Sequence, residues 1–223
     1  MNLSTRHSER CRECKIRVRE LLARIYGTCL QNHKFFWPTH FSFYEGTAIF
    51  PTLRQVVKVL EAYRGFSFED FVRAKTVAPC DFWVPNPGLI VEFDESQHFT
   101  SPRKLALSEY PDDHPVGFSR DRWITLCEKH NAKDNDPPYR DEQRAWYDTL
   151  RDLLPSLEGL QPTVRIYASD SAWCSLDPDS SNDLRQFLEF LNEQEEKYLA
   201  LDRLEKPGKR WNLDEMEQGW DKA

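Results

Sequence analysis

The apolar positions of this chain switch between a helical and an extended period, and the switches divide it into elements. Cys11, Cys14, Val18, Leu21, Leu22 and Ile25 recur at three- and four-residue steps, which predicts a helix over 9–26, capped by Ser8 and stopped by Gly27. Its other face is Arg12, Lys15, Arg17, Arg19 and Arg24. A strand is expected over 29–37, closed by Pro38. The aromatic stretch 41–50 fits no single period, whereas Leu53, Val56, Val57, Leu60 and Tyr63 predict an amphipathic helix ending at Arg64-Gly65, with a further helical turn over 68–74. Residues 80–84 and 89–93 are short apolar runs separated by Pro-Asn-Pro-Gly, the pattern of a hairpin. The polar, proline-containing stretch 100–116 reads as a surface excursion. Helices are expected over 120–129 and, after Asp136-Pro137-Pro138, over 138–154, the latter burying Trp146, Tyr147, Leu150 and Leu153 or Leu154 before Pro155 ends it. The run TVRIYA over 163–168 predicts a strand, 184–199 a helix, and the charge-rich stretch after Leu201 a tail.

Composition narrows what these elements can form. At 223 residues, 39% hydrophobic with seven tryptophans, the chain can bury a core and is not globally disordered. No apolar run approaches the length needed to span a bilayer, and no secretory signal is recognisable, so a cytoplasmic protein without a membrane partner is expected. Six cysteines in such a chain suit reduced thiols or metal ligands better than a disulfide framework. The net charge of −7 argues against coating nucleic acid by bulk electrostatics, but residues 1–34 hold eight Lys/Arg against three Glu, a balance of +5 that leaves −12 for the remainder. A basic end on an acidic body can hold phosphate locally.

The hairpin carries the chemistry. Asp81 lies on its first strand, and Glu92 and Asp94, two apart on the second, project from one face. Three carboxylates converging in an apolar setting raise one another's proton affinity unless a cation sits among them, and Mg²⁺ (or Mn²⁺) is the hard ion that suits oxygen donors. Such an ion polarises a phosphoryl oxygen and activates water, and His98, four residues past Asp94, is placed to move a proton. Solvated acids at strand ends are the ordinary alternative, and Glu95, pointing to the other side, is read that way.

The stretch Glu92-Phe93-Asp94-Glu95-Ser96-Gln97-His98 resembles the Glu-x-Asp-Gly-x-x-His strand end of the very-short-patch repair endonuclease branch of the PD-(D/E)XK, or restriction-endonuclease-like, superfamily. The resemblance implies an α/β fold with an αβββαβ core, a mixed central sheet flanked by helices. It divides the chain into 1–37 (basic helix and first strand), a helical insertion over 38–78, a nuclease-like core over 79–200 and a charged tail over 201–223. It makes Asp81, Glu92 and Asp94 metal ligands and His98 a proton-transfer or phosphate-contacting group. Gln143 and Tyr147, one turn apart, resemble the Gln-x-x-x-Tyr pair that some branches place beside the metal. Two departures stand out: Glu95 occupies the glycine position, and Asp94 the position of the superfamily's lysine, which leaves the water-activating group unassigned.

The function this implies is a metal-dependent DNA endonuclease or nicking enzyme in repair or anti-phage defence, acting on DNA or RNA, as a homodimer or within a larger complex. The alternative is a catalytically silent nuclease-fold module that binds nucleic acid or protein. Arg140 and Arg144, flanking Gln143, and Lys15 and Arg19 on the first helix are the candidate phosphate contacts. Cys11-x-x-Cys14 with Cys29-x-x-x-His33 has the ligand types of a structural zinc site, although on an apolar helix face cysteine also serves as a small hydrophobe.

Overall fold

The structure, a computed structural model, describes residues 9–202, with side chains as far as Glu193. Its elements in chain order are α1 (Arg12–Tyr26), β1 (Leu30–Gln31), α2 (Phe50–Arg64), α3 (Phe68–Phe71), β2 (Phe82–Val84), β3 (Leu89–Asp94), α4 (Ser101–Ser108), α5 (Arg120–His130), α6 (Arg140–Leu153), β4 (Val164–Tyr167) and α7 (Ser181–Asp202). The protein is thus mixed α/β. One sheet runs in the order β1-β2-β3-β4, antiparallel except for β3 against β4, where Glu92 lies opposite Arg165 and Asp94 opposite Tyr167.

Strand alternation sorts β3 between two layers. Leu89, Val91 and Phe93 face Val18 and Leu22 of α1 and Leu184 and Phe187 of α7. Ile90, on the other side with Glu92 and Asp94, meets the larger core built from α2, α4, α5 and α6, where Leu53, Leu60, Trp123 and Trp146 are fully or nearly fully buried. Residues 38–78 form α2 and α3 as expected, and their apolar faces belong to this same core. Among the described residues no helix is long and apolar enough to cross a membrane.

Several sequence expectations change. The first helix begins at Arg12 with Cys11 in the cap position; Ser8 lies outside the described residues. The strand expected over 29–37 shortens to two residues because Asn32 turns left-handed (φ 55°) and its amide donates to the Asp81 carbonyl, breaking the regular ladder. Of the stretch 100–116, only the part after Tyr110 runs over the surface, with Pro111, Asp112 and Asp113 exposed. Thr100 caps α4 by accepting from the Arg103 amide, and α4 then buries Arg103, Ala106 and Leu107 between α2, α5 and α6. Pro155 does not end the chain's helical course: α6 tightens into a 3-10 turn over Leu154–Glu158, and Gly159 (φ 66°) stops it. The last helix starts three residues early, at Ser181, and most of the expected tail lies outside the described residues.

Candidate functional site

The side of the sheet that carries Glu92 and Asp94 is where the nominated residues meet their neighbours. On α6, Asp148 and Asp152 are one turn apart and face the strands, and β4 supplies Arg165 from the position beside Glu92. Arg165 is fully buried and distributes its donors: Nη1 to both Asp94 oxygens at 2.8 and 3.0 Å, Nε to Asp152 Oδ1 at 2.8 Å, and Nη2 to the Asp148 main-chain carbonyl at 3.3 Å. The Trp123 indole of α5 donates to Asp94 Oδ2 at 2.7 Å, so both oxygens of this 1%-exposed carboxylate are engaged. Arg103 of α4 donates to Asp152 Oδ2 at 2.5 Å, and Tyr110 adds a hydroxyl donor at 2.8 Å.

His98 closes the layer from the turn after β3. Its Nδ1 is 3.1 Å from Asp148 Oδ2 and 3.6 Å from Asp94 Oδ1. Burial opposes a charge on the imidazole, but the Asp148 and Asp94 carboxylates together hold it above its ordinary value. Burial likewise opposes the Asp148 charge, yet Arg165, His98 and Arg103 hold that carboxyl well below the usual range. Four carboxylates (Glu92, Asp94, Asp148, Asp152) therefore meet three guanidiniums (Arg103, Arg151, Arg165) and one imidazole, and the layer is neutral when His98 is protonated and Glu92 ionised.

Glu92 is the least satisfied member. Arg151 Nε lies 3.1 Å from Glu92 Oε1, but neither atom completes a hydrogen bond among the described residues, while Arg151 Nη2 donates to the carbonyls of Ala78 and Pro79. Burial pushes the Glu92 carboxyl up to about 7; Arg151 opposes the shift, and Asp81 and Asp148 reinforce it. Asp81 stands at the start of the hairpin, outside the buried layer. Its Oδ2 accepts from the Phe93 amide and its Oδ1 from Lys15 of α1, both at 2.9 Å.

The three carboxylates expected around one ion do not form a close cluster. The oxygens of Asp81, Glu92 and Asp94 are not among any group of three or more candidate metal ligands lying within 4.8 Å of one another in the described residues. Each has a cation of the chain beside it: Lys15, Arg151 and Arg165, respectively. Gln143 also departs from its expected role. Its amide donates to the Phe71 carbonyl of α3 and its oxygen accepts from Arg140, while Tyr147 accepts from the Ala74 amide, so this face of α6 clamps the segment after α3. Arg144 turns the other way, to the Gln97 carbonyl and Asp134, and therefore does not form a clamp with Arg140.

The cysteines regroup as well. Cys11 and Cys14 do lie together, but their third neighbour is Cys174, from the 3-10 turn Trp173–Ser175 after β4. Burial pushes the Cys14 thiol up to about 12. His33 instead stacks on Trp83 and meets the Phe35 ring edge-on, and burial pushes the Cys29 thiol up to about 11 against the pull of Arg19.

The sequence patterns above do not point to Arg165, Arg103, Asp148 or Asp152. A signal existed for three of them. Arg165 interrupts an otherwise apolar strand, and Asp148 and Asp152 fall at helical spacing on the same face as Ala145. Arg103 gave none, because α4 itself was not foreseen. Comparison with protein families, with curated proteins and with solved structures finds no match.

Proposed function

We propose that this chain is a catalytically silent module of restriction-endonuclease-like architecture that holds DNA on the basic face of α1. The reading takes α2 and α3, and α4 and α5, as insertions, which leaves α1, β1, β2, β3, α6, β4 in the αβββαβ order of that fold. The observation that carries the reading is Asp94: this carboxylate is buried, both its oxygens accept from Arg165 and Oδ2 also from the Trp123 indole, so a cation could take it only by displacing the guanidinium that already neutralises it. The acidic motif thus acts as a structural counter-charge. Arg12 and Arg19 are exposed on α1, whereas Lys15 is half-buried against Asp81.

A second reading, a Mg²⁺-dependent endonuclease using Asp81 and Glu92 alone, draws on one observation: a buried Glu92 oxygen lacks a hydrogen bond and its carboxyl is pushed up to about 7, as expected of a site completed by a cation. Incubation of supercoiled plasmid with the protein and Mg²⁺ or Mn²⁺ separates the two. The proposal expects no nicking and no rise in melting temperature with either ion. Nicking that Glu92→Gln abolishes overturns it in favour of the endonuclease. Binding of a fluorescent duplex, read by anisotropy, is expected to weaken with salt, and Arg12→Ala with Arg19→Ala to flatten that dependence by about 0.9 in log–log slope for each phosphate no longer neutralised. Salt-independent binding, or preference for RNA competitor, rejects the DNA assignment.

A further inference from the structure

We infer that Cys11, Cys14 and Cys174 form a thiolate site for a zinc-class dication that ties the start of α1 to the turn following β4. Cys11 holds the cap position of α1 and Cys14 its first turn, with the Cys14 amide donating to the Cys11 carbonyl at 3.1 Å. Cys174 arrives from 160 residues away, carried by a turn that packs directly on α1. The three sulfurs lie within 4.8 Å of one another, the only such grouping of three or more His, Cys, Asp or Glu ligand atoms among the described residues.

Geometry and chemistry both favour a metal over a disulfide. Tetrahedral zinc with Zn–S bonds of about 2.3 Å requires sulfurs about 3.8 Å apart, so the cluster needs at most a contraction of about 1 Å. A disulfide would use two sulfurs and leave the third without a role, whereas three thiolates leave one tetrahedral position for water or another donor. Cys11 and Cys174 are half-buried and Cys14 is buried, an arrangement that gives an ion entry from one side and an apolar wall on the other. Soft sulfur donors select zinc over magnesium or calcium. Binding releases the thiol protons to solvent. The ligand set differs from the Cys11-x-x-Cys14, Cys29, His33 combination that the sequence presents, because the fold carries Cys174 and not Cys29 to the helix start.

This site is independent of the nucleic-acid reading. Its test is elemental analysis of untagged full-length protein purified without chelator, alongside Cys11→Ser, Cys174→Ser and Cys29→Ser. About one zinc per chain is expected in wild type and in Cys29→Ser, with loss of zinc in the other two. Cobalt substitution should give a thiolate charge-transfer band that disappears in Cys174→Ser. Because Cys11 and Cys174 sit at the edge of the core, both variants should fold, and circular dichroism checks this. Should they unfold, chelator titration of the wild type with cobalt reconstitution decides instead. Zinc-free wild type without a cobalt band, zinc retained in Cys174→Ser, or a mass two hydrogens lower from a disulfide each overturns the site.

Discussion

Replacing Arg165 with methionine tests the buried charge layer at its centre. The two side chains are of similar length, so the perturbation is mainly electrostatic. Losing the guanidinium leaves Asp94 with only the Trp123 indole as donor, while Asp152 keeps Arg103 and Tyr110. Removing one partner of a buried ion pair costs about 3–5 kcal/mol, because the abandoned charge stays desolvated. For a chain of this size that is a melting temperature lower by roughly 6–20 °C, or a urea midpoint lower by roughly 1–2 M. The deficit should also depend on pH. In the wild type Asp148 is held well below the usual carboxylate range, so its contribution is present above the unfolded pKa and lost as pH falls through the depressed folded one. Without Arg165 the buried acids instead gain proton affinity, and protonation relieves them. The gap between Arg165→Met and wild type should therefore be widest near neutrality and narrow toward pH 4. Adding Asp94→Asn should return about 1 kcal/mol or more in a double-mutant cycle. Equal urea midpoints at neutral pH, or a gap that widens in acid, would refute the assignment of this layer as mutually neutralising.

Glu92 should show the opposite sign. Its folded pKa of about 7 lies above the unfolded value, so stability is fully present below about 4.5 and is lost as pH rises through 7, by on the order of 3 kcal/mol. Glu92→Gln should remove that part of the slope and leave the contribution of His98, which has the same direction, and urea midpoints at pH 5 and 8 measure it. Gly117→Ala is expected to cost about 1–3 kcal/mol, since a Cβ there would come within 2.8 Å of the Thr163 carbonyl and 2.9 Å of the Pro162 carbonyl, both fixed backbone atoms; thermal denaturation reads it directly.

Periodicity carried most of the element assignment. The face Cys14, Val18, Leu21, Leu22 and Ile25 is buried as its spacing requires, and the hairpin falls where Pro-Asn-Pro-Gly separates two apolar runs. Thr100-Ser101-Pro102 held a cap signal for α4, but the charged residues that follow masked it: Arg103 looks like a surface residue until its two partners, Tyr110 and Asp152, are brought in by other elements. The partners of the site residues were hidden for the same reason. Strand alternation correctly places Glu92 and Asp94 on one side, yet what neutralises them depends on Arg165 and Arg151, which lie about 60–70 residues further on and whose approach no local pattern encodes.

Asp94 and Arg165 together also bear on where the hairpin differs from the motif it resembles. In the motif that the hairpin resembles, a lysine follows the metal-binding acid by two residues on its own strand. Here that position is acidic, and the cation comes from the next strand, β4, in parallel register with Glu92. Moving the positive charge across the ladder keeps the face balanced but turns an outward-reaching ammonium into a buried, multiply bonded guanidinium. Lysine, a flexible point charge, could release its partner to a substrate. Arginine fixed at three carboxylate-bearing residues cannot do so without breaking the layer. An arrangement of this kind ties β3, β4 and α6 together through one buried guanidinium.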